Sequence, residues 1–323
     1  MRSVFLNYLL TEAANDSRIY LVADDTGFSV IEPFKERFPQ RYINAGIAEQ
    51  NMIGISAGLA MAGKKVYVYG IIPFMTMRCF EQIRLDLCYH QDIAVTIIGV
   101  GGGFSYGPMA ATHHALEDVA LMRILPHMTV VAPGSKYEVS QLASQIHEVN
   151  GPCYLRLGNN EEAVTYPPTP LILGKALEII PHDEVLIIAT GNALDLGYAV
   201  CTYLNNQGVS AGLVSMHTIK PLDIDYLRNK MPHLKALFTV EEHFIAGGLG
   251  EQVAYVIAEH APKKIIFKAF GINDFYFHET GTRKYLLKKA GLSTENIVHE
   301  IKERLGITAN VVIPAALHTE HQL

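Results

Sequence analysis

Residues 41–63 have the sequence RYINAGIAEQNMIGISAGLAMAG, which contains the junction of a strand and a helix. The strand pattern ends at Asn44, Gly46 allows a tight turn, and a helix rich in glycine and alanine follows. Small side chains on a helix let another backbone or a flat ligand approach closely. Glu49 falls in the first turn of this helix, where α/β folds place ligands. Alternatively, Glu49 only complements the helix dipole.

The alternation of strand and helix extends outward from this stretch through the whole chain. Short runs rich in Val, Ile and Tyr predict strands buried on both faces, and the segments between them have helical spacing. The predicted strands are 19–25, 65–71, 92–100, 128–134, 153–157, 185–191, 209–216, 236–242 and 264–271. The predicted helices are 47–61, 74–89, 116–125, 135–148, 193–206, 249–260 and 294–305.

A proline cluster, YPPTP at 166–170, divides this pattern in two. Proline fixes its own backbone and restricts the preceding residue, so this cluster is the best candidate for a linker. We therefore predict an α/β protein of two domains, each a mostly parallel sheet flanked by helices. The predicted domains are residues 1–167 and 168–306, and a tail follows at 307–323.

Composition excludes several classes of protein. The 323 residues carry a formal charge of -6 without a basic block, which argues against nucleic-acid binding. The uncharged window 93–116 contains three consecutive glycines, a proline and two histidines, which excludes a membrane helix. The N-terminal segment has a short apolar run, but Glu12 and Asp16 follow it and there is no small-residue cleavage site, so we expect a helix of the fold and not a signal peptide. The four cysteines are scattered without a C-x-x-C pair, so we expect a cytoplasmic protein without a metal site of its own.

Several ordered motifs resemble thiamine-diphosphate-dependent enzymes of the transketolase family. NAGIAEQNM (44–52), PFMTMRCFEQI (73–83) and the stretch from GGGFSYG to THHALED (101–118) are similar to the pyrimidine-binding domain. IKPLD (219–223) and VEEHFIAGGLGE (240–251) are similar to the transketolase C-terminal domain. The resemblance covers roughly residues 1–305 and implies the thiamine-diphosphate-binding fold for the first domain.

The resemblance implies that the cofactor's aminopyrimidine ring binds between Glu49 and an aromatic residue. Glu49 would hydrogen-bond a ring nitrogen and favour the imino form of the ring, and for this role it must be held out of water. Phe74 would stack on the ring, and Ile71, Met77 and Phe80 would line the pocket. Asp25, next to Asp24, would lie near the cofactor or a subunit contact. The alternative for the two phenylalanines is ordinary core packing on a helix, and solvation at a strand end explains the two acids equally well.

The resemblance also implies a substrate site. His113 would contact a hydroxyl or carbonyl oxygen of the substrate, with His114 beside it, although two adjacent histidines could instead cap the following helix. Arg156 would bind an anionic group, or it pairs with a neighbouring carboxylate, and Arg123 and Asn159 are further anion candidates.

Two departures from the family pattern leave the substrate open. Tyr106 precedes Gly107 where the family has an acid, and Gly158 stands where phosphate-handling members carry an arginine.

One expected element is missing. Enzymes of this class hold the diphosphate and a divalent metal through G-D-G and a later Asn, and G-D-G occurs nowhere in this sequence. By analogy with split transketolases, we expect an N-terminal partner subunit that binds the diphosphate and Mg²⁺ or another divalent cation, and two copies of each chain.

The predicted function is the C-terminal subunit of a transketolase that moves a two-carbon ketol unit from a ketose (phosphate) to an aldose (phosphate). The alternatives are the β subunit of a 2-oxo acid dehydrogenase decarboxylating component and a non-catalytic scaffold of the same fold. A NAD-binding protein is disfavoured, because no glycine fingerprint follows the first strand.

Overall fold

The computed structural model describes residues 1–27, 30–90, 92–158, 164, 166 and 168–307. The strands are β1 (Ile19–Ala23), β2 (Tyr42–Asn44), β3 (Lys65–Ile71), β4 (Val95–Val100), β5 (Thr129–Val131), β6 (Cys153–Leu157), β7 (Leu177–Ile180), β8 (Val185–Ala189), β9 (Gly212–Ser215), β10 (Thr218–Lys220), β11 (Ala236–Phe244) and β12 (Ile266–Ile272). The α-helices are α1 (Arg2–Asn15), α2 (Glu32–Arg37), α3 (Glu49–Met61), α4 (Phe80–Gln82), α5 (Asp118–Ile124), α6 (Lys136–His147), α7 (Leu194–Asn206), α8 (Ile224–Lys230), α9 (Leu249–His260), α10 (Arg283–Lys289) and α11 (Thr294–Arg304).

The strands form two sheets, one in each half of the chain. The first has seven strands in the order β10-β5-β6-β4-β3-β1-β2, and the second has five in the order β12-β11-β8-β9-β7. All pairs are parallel except β10 with β5 and β7 with β9, which lie at the edges. The predicted two-domain, mostly parallel α/β architecture is confirmed. Because β10 comes from the second half of the chain and completes the first sheet, the halves are joined by backbone hydrogen bonds as well as by packing.

Helices cover both faces of each sheet, as continuous apolar strands require. In the first sheet, α1 and α6 pack on one face, and α3, α5 and the segment after β3 pack on the other. In the second sheet, α7, α10 and α11 pack on one face and α8 and α9 on the other. In the first sheet, β4 and β6 are buried at every residue. The carboxyl edge of the first sheet is therefore held on a rigid, two-sided core.

One predicted helix differs from the structure. The segment 74–89 is helical, but it is divided into a π-helical turn (Phe74–Arg78), α4, a second π-helical turn (Ile83–Leu87) and a 3₁₀ turn (Cys88–His90). An extra residue per turn rotates the side chains that follow it, and such turns are frequent at functional sites. Sequence periodicity predicted a helix here and missed this change of pitch.

The predicted linker is partly described. Tyr166 is half-buried, and its hydroxyl donates to Glu138 Oε1 at 3.2 Å on α6, so this end of the linker is docked on the first domain. The tail from 308 onward lies outside the described residues.

The four cysteines are buried free thiols. Among the helices of the described ranges, none combines the length and apolarity needed to cross a bilayer.

Candidate active site

Glu49 lies at the carboxyl edge of the first sheet, where β1 and β2 end and α3 begins. The turn before it is fixed locally: the Gly46 N–H donates to Asn44 Oδ1 at 2.8 Å, and Gly46 adopts a φ of +71°. Glycine adopts this left-handed conformation without steric cost. The turn places Glu49 at the first residue of α3 with its side chain only 3% exposed. The structure thus gives Glu49 the burial that its predicted role requires.

Arg78 is the partner of Glu49. Its Nη1 atom donates to both carboxylate oxygens of Glu49 at 2.8 Å, and its guanidinium carbon lies 4.8 Å from the centroid of the Phe74 ring. The Arg78 side chain is 48% exposed. Sequence analysis did not assign Arg78 a role. The available signal was its position as the only cation between two phenylalanines in residues 73–83.

Phe74 connects this ion pair to His113. The two rings are 5.1 Å apart between centroids with an interplanar angle of 78°, an edge-to-face contact. His113 is half-buried, and its Nδ1 lies 3.0 Å from Thr112 Oγ1. Three segments that are distant in sequence therefore bring Glu49, Arg78, Phe74 and His113 into one line of contacts.

Of the two adjacent acids at the end of β1, Asp24 rather than the predicted Asp25 lies in the interior. Asp24 is 2% exposed, accepts a hydrogen bond from the Thr26 hydroxyl through Oδ1, and has no hydrogen-bond partner for Oδ2 among the described residues. Burial raises the pKa of Asp24, and the negative charge of Glu49 raises it further. Asp25 is exposed and accepts a hydrogen bond from Asn44 at 2.8 Å.

Ile71 and Phe80 are half-buried and pack against the apolar clusters on opposite faces of the sheet. Their packing agrees with the simpler interpretation as core residues. Of the two predicted aromatic contacts, Phe74 is the one that Arg78 links to Glu49.

His114 points away from His113 into the core. It is 3% exposed, its Nε2 lies 3.3 Å from the Gly107 carbonyl oxygen, and its ring contacts Phe104 edge-to-face at 5.1 Å. Phe104 in turn contacts Phe277 of the second domain at 4.9 Å. Burial lowers the pKa of His114, which favours the neutral ring. His114 therefore supports the loop that carries His113, and the predicted substrate contact moves to His113 alone.

Arg156 pairs with a carboxylate, which is the alternative that the sequence left open. It is 2% exposed, and its Nε donates to Asp118 Oδ2 at 2.7 Å. Its Nη2 donates to the carbonyl oxygens of Ala115 at 2.9 Å and Glu242 at 3.1 Å. The predicted anion contact of Arg156 is corrected accordingly, because the side chain is buried and its Nε and Nη2 donors bind groups of the chain itself.

At Gly158, where phosphate-handling members of the family carry an arginine, there is no room for a side chain. A side chain at Gly158 would overlap the Asn192 side chain of the second domain. Asn159, the other anion candidate beside it, lies outside the described residues.

The second domain holds the glycine loop 101–103 in place. The Phe104 N–H donates to Glu242 Oε1 at 2.8 Å, and Asn192 Nδ2 donates to the Gly102 carbonyl oxygen at 2.6 Å. Arg283 bridges Glu242 and Asp195, with contacts of 2.6 and 2.7 Å. The loop between β4 and α5 is therefore anchored at its base by the second domain, and its far end, with His113, faces the Glu49 site.

The geometry fits a flat heterocycle with hydrogen-bond donors. The guanidinium of Arg78 is itself flat, donates to Glu49 and lies against Phe74, so a planar donor group is compatible with both surfaces at once. Glu49 and Phe74 are thus the residues that could hold an aminopyrimidine. Over the described part of the chain, no group of three or more His, Cys, Asp or Glu side chains is arranged to hold a metal ion.

The fold and the site place the chain among two-domain α/β proteins with a candidate ligand site at the carboxyl edge of a parallel sheet. Residues 1–162 match the family model for the transketolase pyrimidine binding domain, and residues 174–297 match that for the transketolase C-terminal domain. The chain belongs to the transketolase family.

Relatives match nearly the whole chain. One of the subunits of the apulose-4-phosphate transketolase of Actinobacillus succinogenes is 34% identical over 86% of this chain and 89% of that protein. The 6-deoxy-6-sulfo-D-fructose transketolase subunit SqwH of Clostridium sp. is 32% identical over 94% of this chain and 95% of that protein. A solved structure described as a split gene transketolase, inactive beta4 tetramer, is 30% identical with a TM-score of 0.84, covering 95% of this chain and 99% of that one. The chain is thus similar over its length to subunits of split transketolases.

Proposed function

We propose that this protein is the C-terminal subunit of a thiamine-diphosphate-dependent transketolase that transfers a two-carbon ketol unit from a ketose to an aldose. The observation that carries the proposal is the buried Glu49 carboxylate, aligned with a half-buried Phe74 and with His113 at the ring edge. Family membership supports the cofactor, because the matching domain is the one that binds the pyrimidine.

In this proposal each residue has a separate task. Glu49 holds a proton in a hydrogen bond to the aminopyrimidine, and Phe74 fixes the plane of that ring. His113 donates to or accepts from an oxygen of the sugar, since an imidazole exchanges protons near pH 7. The cofactor, when bound, supplies a carbon centre that holds an electron pair while a carbon-carbon bond breaks.

The proposed partner is an N-terminal subunit that binds the diphosphate and a divalent cation. The sequence has no G-D-G, and two relatives are named as subunits of a transketolase. The surface around the site suits a protein contact: Ile47 is 81% exposed, Met77 and Met109 are also exposed, and Gly54 and Gly58 on α3 have open space above them. Exposed apolar side chains beside a site are typical of interaction surfaces. A second copy of each chain would complete the assembly.

The proposed substrates are sugars with an anionic end group. One relative is named for a sugar phosphate and the other for a sulfonated sugar. In this proposal Arg156 does not bind the anionic group, because it is buried and its Nε and Nη2 atoms donate to Asp118, Ala115 and Glu242.

Mixing the purified chain with its N-terminal subunit tests the function. We expect binding of thiamine diphosphate and ketol transfer from a ketose phosphate by the mixture, neither chain alone being active. Decarboxylation of pyruvate without ketol transfer would instead identify the 2-oxo acid dehydrogenase alternative. A complex that binds cofactor but turns over neither substrate would favour the scaffold.

A further inference from the structure

The ion pair between Arg78 and Glu49 is asymmetric in its exposure. The Glu49 side chain is 3% exposed and the Arg78 side chain 48%. Both carboxylate oxygens accept from the same atom, Arg78 Nη1, at 2.8 Å. Among the described residues, the guanidinium is therefore the hydrogen-bond partner that reaches the Glu49 carboxylate from the solvent side and covers it.

The two contacts of Arg78 are the two contacts proposed for the aminopyrimidine. One is the hydrogen bond to Glu49, and the other is the face of the Phe74 ring, 4.8 Å from the guanidinium carbon. Two planar groups cannot occupy one position against both partners. We propose that Arg78 is a resident competitor for the pyrimidine position, which leaves Glu49 when the cofactor ring docks. This inference rests on the proposed function.

The buried charge of Glu49 explains why a resident partner is needed. A buried carboxylate without a partner is strongly unfavourable, and Arg78 supplies that partner before the ring docks. The exchange therefore keeps the Glu49 carboxylate hydrogen-bonded both before and after the ring docks.

The local structure lets the side chain move while the backbone stays fixed. The Arg78 carbonyl oxygen accepts a hydrogen bond from Gln50 Nε2 at 3.2 Å, which ties the π-helical turn to α3. The guanidinium itself is half in solvent, so its release exchanges a protein contact for water. The movement then requires only side-chain rotations, which occur in nanoseconds or faster in exposed residues.

The test is the binding of thiamine diphosphate to the complex of this chain with the N-terminal subunit. Titration calorimetry measures the affinity, and stopped-flow fluorescence measures the rate of binding. We expect Arg78→Met to bind the cofactor about tenfold more tightly, the size of one charge-assisted hydrogen bond that no longer has to be broken. The gain should disappear in Glu49→Gln/Arg78→Met relative to Glu49→Gln, because the competitor acts through Glu49. The matched control is Arg84→Met, which removes an exposed charge from the same helical segment.

Unchanged or weaker binding by Arg78→Met would overturn the inference and make Arg78 a neutral or supporting residue. If Arg78→Met does not fold, Arg78→Lys decides, because it keeps the charge and loses the planar fork; it should bind a few-fold more tightly than wild type. Failure of the proposed function has a different signature: the wild-type complex would bind no thiamine diphosphate or transfer no ketol unit.

Discussion

Two arginine-carboxylate pairs in this chain have opposite surroundings. In the pair of Arg156 and Asp118, both side chains are buried, at 2% and 0% exposure, and further hydrogen bonds surround them. In the pair of Arg78 and Glu49, only the carboxylate is buried. The first pair joins the two domains, since Arg156 also binds the Glu242 carbonyl oxygen. The second lies at an open sheet edge, where a ligand could replace the arginine.

The difference shows that an ion pair can serve as structure or as a temporary partner. A fully buried pair offsets its desolvation only when its remaining donors and acceptors are satisfied, and breaking it leaves an uncompensated charge. A half-exposed arginine can return to water at little cost. Burial of both partners is therefore what separates the structural pair from the exchangeable one.

The largest expected effect comes from breaking the buried pair. Arg156→Met should lower the free energy of unfolding by about 3–5 kcal/mol, because Asp118 would remain buried without its cation. The matched control is Arg78→Met, which we expect to change the same quantity by about 1 kcal/mol or less, because the guanidinium is half in solvent and its removal lets water hydrogen-bond the Glu49 carboxylate. Urea titration followed by circular dichroism measures both. Equal losses in the two variants would remove the distinction between the pairs.

A smaller effect concerns the loss of folding stability at acidic pH. Arginine stays protonated over this range and does not contribute to it, so the effect comes from a buried histidine. Burial lowers the pKa of His217 to about 4, against about 6.5 in the unfolded chain. Between these values the unfolded state binds a proton that the folded state does not, so stability is full above pH 6.5 and falls toward pH 4. The loss should be on the order of 1–3 kcal/mol.

Thermal unfolding at a series of pH values measures the slope of stability against pH. His217→Gln should make it shallower, whereas His299→Gln, on the exposed face of α11, should leave it unchanged. An unchanged slope in His217→Gln would show that other groups cause the acid sensitivity.

Sequence reasoning predicted best what depends on local pattern. The limits of β3, β6 and α9 agree with the predictions, because each is a continuous apolar run or a regular helical repeat. The short edge strands β7 and β10, of four and three residues, were missed, since so few residues carry no periodicity. The role of Glu49 was not predicted in this way: the small-residue helix left the dipole interpretation open, and the resemblance to the family assigned the role, which stays a prediction.

Tertiary contacts explain what the sequence did not reveal. Arg78 was missed because its partner Glu49 lies on a different element. Anion binding and a carboxylate pair both stayed open for Arg156, because its burial depends on Asp118 and on Glu242 of the second domain, which the local sequence does not encode. His114 differs from His113 through its contact with the Gly107 carbonyl oxygen and through the packing of Phe104 and Phe277 beneath the loop.

The most direct test of the central claim is the exchange of the thiazolium proton of bound thiamine diphosphate with deuterated water, measured in the complex of Glu49→Gln with the N-terminal subunit. If Glu49 acts on the cofactor ring, this rate and ketol transfer should both fall about 100 to 10000-fold while the complex still forms. Glu36→Gln, at an exposed position on α2, should leave both rates unchanged. Exchange and transfer close to wild type in Glu49→Gln would contradict the claim.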